Sequence, residues 1–106
     1  MNGMSQPKEV IVSFSIYPLN PKGSMAPFVA KAEKIIEDSG LACHLGPMGT
    51  DIEGTWDEVM QVVDQCFKAL EPDSDRIMVN FKADFRRGRE GRLSSKVESV
   101  RKAMGK

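Results

Sequence analysis

Residues 46–58, Gly-Pro-Met-Gly-Thr-Asp-Ile-Glu-Gly-Thr-Trp-Asp-Glu, constrain the fold of this chain more than any other stretch. Gly46, Pro47 and Gly49 mark a tight reversal. Thr50, Ile52 and Glu53 then read as a short strand that Gly54 breaks. Thr55, with Glu58 three residues later, has the form of a capping box and opens a helix. A reversal between two strands, followed at once by a helix, requires an α/β domain with at least one antiparallel pair.

The flanking segments extend this frame. Val10, Val12, Phe14 and Ile16 alternate with Ile11, Ser13, Ser15 and Tyr17, so the first strand has one strongly apolar face and one mixed face. Pro18, Asn20, Pro21 and Gly23 end it. Ser24 is the expected N-cap of a helix that tolerates Pro27 in its first turn, carries Phe28, Ala32, Ile35 and Ile36 at helical spacing, and stops at Gly40. Leu41 to Leu45 form the second strand. After the 46–58 segment, Val59, Val62, Val63, Phe67 and Leu70 give the second helix its apolar side until Pro72 ends it. Arg76 to Phe85 form a fourth strand, with Ile77, Val79, Phe81 and Ala83 expected beneath the helices and Met78, Asn80, Lys82 and Asp84 facing away. A basic loop, Arg86 to Arg92, leads to a last helix with Leu93, Val97, Val100 and Met104 on one side.

The order βαββαβ with an additional C-terminal helix is the split βαβ pattern: an α+β, ferredoxin-like sandwich with a four-stranded antiparallel sheet. Both main helices should cover one sheet face. The other face would carry Ser13, Ser15, Met78, Asn80, Lys82 and, with Ile52 inward, Asp51 and Glu53. That face must be wet, packed on another subunit, or used for a ligand. Residues 1–8 are expected to be a flexible segment ahead of a single domain over 9–106.

The 106 residues carry no formal net charge, which argues against a general nucleic-acid binder and leaves little electrostatic protection from self-association. Cys43 and Cys66 show no metal-type or redox spacing and read as buried small hydrophobes in a reducing, cytoplasmic setting. The apolar runs are far shorter than the ~20 residues that span a bilayer, and residues 1–8 contain no apolar signal core, so no membrane partner is expected. His44, the only histidine, has no companions at ligand spacing, so no metal site is expected. Trp56 reads as a packing residue at a helix start, with an aromatic platform beside the turn as the alternative. Spacing supports no nucleophile–base pair, no G-x-S-x-G and no phosphate-cradling glycine loop. Neither catalysis nor a cofactor is expected.

Five segments, in order and at matching spacing, carry a family resemblance over residues 9–102. They are Tyr17-Pro18 at the end of the first strand, Gly46-Pro47-Met48-Gly49-Thr50-x-Ile52-Glu53-Gly54, Ser74-Asp75-Arg76, Lys82-x-Asp84-x-Arg86, and Leu93-x-x-Lys96-Val97-x-Ser99-Val100. The chain resembles the MTH1187/YkoF-like thiamine-binding protein family. That resemblance implies a ferredoxin-like subunit assembling through its sheet as a homo-oligomer, commonly a tetramer built as a dimer of dimers. It also implies non-catalytic binding of thiamine or its hydroxymethylpyrimidine moiety.

Such a ligand needs hydrogen bonds for the pyrimidine, an apolar platform, and a carboxylate or π-face for the thiazolium cation. Ser13, Ser15 and Asn80 are candidates for the pyrimidine edge, Met48 and Met78 for apolar contact, and Glu53 or Asp51 for the cation. The bland alternative makes these residues a polar subunit interface. Gly49 and Thr50 belong to the matched turn, where they serve a close ligand approach or the turn alone. Lys82 either pairs with Asp84 on its own face or contacts a ligand. Arg86, Arg87 and Arg89 are candidate anion-binding residues, since arginine suits phosphate, although such loops are commonly solvated. Two other functions stay open: a regulatory or interaction protein whose Arg86–Arg92 loop binds an anion or nucleic acid, and an enzyme with an unrecognised site. Base stacking on the outer face of the fourth strand is disfavoured, because its positions are Met78, Asn80, Lys82 and Asp84.

Overall fold

The computed structural model describes residues 8–105. Residues 1–7 of the expected N-terminal segment lie outside the described residues. The elements are β1 (Glu9–Pro18), α1 (Ala26–Asp38), β2 (Ala42–Gly46), β3 (Gly49–Thr55), α2 (Trp56–Leu70), a 3-10 turn (Glu71–Asp73), β4 (Ile77–Phe85) and α3 (Arg92–Ala103). The sheet order is β2-β3-β1-β4, all antiparallel, which is the ferredoxin-like arrangement.

The alternation in β1 sets the core. Val10, Val12, Phe14 and Ile16 are buried beneath Ala32 and Ile36 of α1 and Val59, Val62, Cys66 and Leu70 of α2, with Ile52 of β3 beside them. The even-numbered β1 residues face even-numbered β3 partners: Val12 opposes Ile52 and Phe14 opposes Thr50. Ser13, Asp51 and Lys82 therefore share the outer face, as do Ser15 and Asn80.

Thr55 caps α2 as its spacing requires. Its hydroxyl accepts from the Glu58 amide at 3.2 Å while the Glu58 carboxylate accepts from the Thr55 amide at 2.9 Å. Gly54 does not break β3, which continues to Thr55. It lies opposite Val10 in the sheet, and a side chain there would meet the Leu41 methyls at 3.2 and 3.3 Å. The glycine makes room for Leu41. At α1, Met25 and not Ser24 takes the N-cap position, although the Ser24 hydroxyl still accepts from the Ala26 amide at 3.2 Å.

Two expectations about burial fail because the helices cover the two outer strands of the sheet only in part. α1 packs on β1 and β2 and α2 on β1 and β3, so the apolar face of β4 is only partly covered. Val79 is 42% and Phe81 37% exposed. Cys43 on β2 is likewise exposed, whereas Cys66 is buried, with its thiol donating to the Ala32 carbonyl at 3.6 Å. Burial pushes the Cys66 thiol up to about 12, so it stays protonated and unreactive while the fold is closed.

Phe14 and Phe81 are direct cross-strand partners with opposite environments. Phe14→Ala should lower stability by ~3–5 kcal/mol. Phe81→Ala should cost about half of that or less, because much of its ring is already in water. Denaturation midpoints of the two variants would measure the difference.

Candidate functional site

A cavity of about 360 Å³ opens between α1 and the end of the sheet where β2 turns into β3. Phe14, Ile16, Ala32 and Ile36 form its apolar floor, and Met25, Val29, Leu45 and Met48 its rim. The rim is wet: Leu45 is 61% and Met48 90% exposed. The volume lies within the range that holds small organic ligands.

Gly49 shapes the entrance. Its φ is +155°, and a Cβ there would stand 2.9 Å from the Phe14 carbonyl oxygen. Both observations require glycine, so the turn closes tightly onto β1 only without a side chain.

One charged group enters this apolar setting. Glu33, half-buried on α1, lines the cavity, and its carboxylate accepts a hydrogen bond from the hydroxyl of Thr50 on the inner face of β3. Among the described residues no other side chain or amide donates to it. A carboxylate held at one oxygen in an apolar slot suits a flat or aromatic group carrying positive charge. Glu33 was not among the candidates read from the sequence. The signal was there: Val29, Ala32, Glu33 and Ile36 share the inward side of α1, and an acid among them needs a partner.

The candidates divide into separate places. Ser15, Met48 and Gly49 line the cavity, and Thr50 holds its acid. Ser13, Asn80 and Lys82 are exposed on the outer sheet face, where the Asn80 amide donates to Ser15 Oγ at 3.3 Å. Asp51 shares that face.

Glu53 has different company. It is only 6% exposed, and its two oxygens accept from the backbone amides of Arg92 at 2.7 Å and Leu93 at 3.3 Å. The N-cap residue of α3 is Gly91, which has no side chain to satisfy those amides, so a carboxylate from β3 does it. Lys82 and Asp84 do not form the pair that their spacing suggests. Asp84 accepts from the buried Arg92 guanidinium at 2.6 Å and from Lys96 at 2.7 Å. These hydrogen bonds, Arg92 first, lower its carboxyl from the ordinary 3.8 to about 2. Arg92 thus leaves the basic loop, whereas Arg86, Arg87 and Arg89 stay exposed, with the Arg87 guanidinium 5.6 Å above the Phe85 ring. Trp56 is 51% exposed and meets Phe81 edge-on, so it packs only on one side. Among the described residues no group of three or more His, Cys, Asp or Glu could hold a metal ion, and no helix is long and apolar enough to cross a membrane.

A family model described as thiamine-binding protein matches residues 12–101. The chain belongs to the thiamine-binding protein family. A UPF0045 protein of Mycobacterium bovis is 36% identical over 92 residues, covering 86% of this chain and 90% of its own. The crystal structure of a hypothetical protein of Methanocaldococcus jannaschii superposes with a TM-score of 0.80 at 26% identity, over 89% of this chain and 97% of the other. A Thermotoga maritima protein proposed to act in thiamine biosynthesis or salvage gives a TM-score of 0.71 at 25% identity, over 84% and 98% of the two chains.

Two variants separate the anchoring acids from the cavity. Glu53→Ala strips the first amides of α3 of their acceptor and should cost ~1–3 kcal/mol, read from denaturation midpoints and faster amide exchange in α3. Asp84 has a depressed carboxyl, so the stability it contributes is complete above the ordinary 3.8 and lost as pH falls toward about 2. Asp84→Asn should therefore be less stable than wild type at neutral pH, with the gap closing across that acid window.

Proposed function

We propose that this protein binds thiamine or its hydroxymethylpyrimidine moiety in the cavity between α1 and the β2–β3 turn, without catalysing a reaction. The observation that carries the reading is Glu33, the one charged group in a mostly apolar cavity. Its charge matches a thiazolium, and the Phe14, Ile16, Ala32 and Ile36 floor matches the flat faces of the rings. Membership of the thiamine-binding family supports the same ligand, as does the role in thiamine biosynthesis or salvage proposed for the Thermotoga protein. Of the residues proposed from the sequence, Ser15, Met48, Gly49 and Thr50 serve this site. Glu53 anchors α3, and Ser13, Asn80 and Lys82 serve the outer sheet face.

The same reading makes the protein a cytoplasmic homo-oligomer, a dimer of dimers, with the ligand near a subunit contact. Support comes from apolar surface that a lone subunit leaves wet. Leu45 and Met48 stand on the cavity rim, and Val97, Val100 and Met104 form an exposed stripe along α3. A neighbouring subunit over the rim would close the cavity around its ligand.

Calorimetric titration with thiamine, with hydroxymethylpyrimidine and thiamine phosphate as comparators, tests the assignment. Saturable thiamine binding is expected, weakened about tenfold or more in Glu33→Gln, because a charged hydrogen-bonding partner is lost. The neutral pyrimidine should lose less. No heat at millimolar thiamine would overturn the ligand class, and equal losses for cation and neutral comparator would overturn the role of Glu33.

A further inference from the structure

At the other end of β1 the molecule presents a second concave surface of opposite charge. Val10 is flanked across the sheet by Gly54 and Phe85. Lys8 precedes the strand, Trp56 opens α2 above it, and Arg87 follows β4. Lys8, Val10, Trp56, Phe85 and Arg87 line an open cavity of about 380 Å³. Its aromatic walls are half in water, with Trp56 51% and Phe85 48% exposed. Phe81 sets the pose of Trp56: the two rings meet edge-on at 86° with centroids 6.1 Å apart, which leaves the rest of the indole uncovered.

The two cations of this corner are not spent on protein acids. Among the described residues neither Lys8 nor Arg87 forms an ion pair; the carboxylates that do so are Asp38, Asp64, Asp73 and Asp84. The nearest acid in sequence, Glu9, has Glu53 and Glu90 for neighbours, and burial together with those like charges raises its carboxyl. Arg87 lies over Phe85 at 5.6 Å, which fixes its guanidinium at the edge of the cavity while its donors remain unclaimed.

We infer that this corner binds a planar aromatic anion of mononucleotide size, with a heterocyclic base against Trp56 and its phosphate between Lys8 and Arg87. The aromatic wall supplies stacking area that every base can use, and the guanidinium and ammonium supply the phosphate contacts. Charge complementarity selects the sign: a cationic heterocycle is repelled here and attracted at Glu33. A single base fits better than a strand, because the cavity offers one aromatic corner and two cations on a chain with no net charge. This site is independent of the thiamine reading and stands or falls by itself.

Trp56 is the only tryptophan, so its emission reports occupancy directly. The full-length protein would be titrated with AMP, using adenosine, inorganic phosphate and a single-stranded oligoadenylate as comparators. AMP should quench saturably and bind about tenfold or more tightly than adenosine, with added salt weakening it. Arg87→Glu, an exposed loop change that leaves the core untouched, and Lys8→Glu should each reduce AMP affinity about tenfold. Saturating thiamine should leave the AMP titration unchanged. No response to millimolar AMP, equal responses to AMP and adenosine, or indifference to Arg87→Glu would overturn the site. So would an oligonucleotide binding about tenfold more tightly than AMP, or emission that shifts only with protein concentration, which would give the corner to a polymer or to a second copy of the chain.

Discussion

Phe14 lies on a row that crosses the sheet, from Leu45 on β2 through Thr50 on β3 to Phe81 on β4. Its side chain is buried under the helices while its carbonyl oxygen faces Gly49 so closely that no Cβ fits. One residue thus fixes three relations: the register of β1 against β3, the closure of the β2–β3 turn, and the inward position of Thr50. The Thr50 hydroxyl then determines where the Glu33 carboxylate stands. A slip of one residue in β3 would bring Asp51 inward and send Thr50 outward, and the cavity would lose the arrangement of its acid.

Glu53 and Glu33 illustrate how environment, and not residue type, assigns a role. Glu53 has both oxygens committed to the amides that open α3. Glu33 has one hydroxyl and a mostly apolar cavity. The first is a structural anchor and the second is available to a ligand. Backbone amides at a helix start are strong donors that a carboxylate satisfies well, so an acid placed beneath them is absorbed into the fold.

Much of the architecture was legible in the sequence because it rests on local signals. The alternation of β1, the Thr55–Glu58 capping box and the order of elements lead directly to the observed topology. The candidate site was legible only in part. Met48, Gly49 and Thr50 came from a turn motif whose residues are adjacent in sequence. Glu33 joins Thr50 only through the packing of α1 on the sheet, which no spacing rule reveals. Glu53 was misleading for a related reason: its partners, the amides of Arg92 and Leu93, are distant in sequence and are backbone groups. The wet faces of β4 and Cys43 were misread because alternation tells which side a residue faces, whereas coverage depends on how far the helices extend over the sheet.

The two thiols give the chain a clock and its reference. Cys66 is sealed between α1 and α2 with its proton held by burial, while Cys43 stands at the open margin of β2. A neutral-pH alkylating reagent consumes Cys43 at the rate that reagent sets. It reaches Cys66 only when the helices part. Within one molecule, the ratio of the two labelling rates therefore tracks how often the helical layer leaves the sheet, because the reagent concentration cancels.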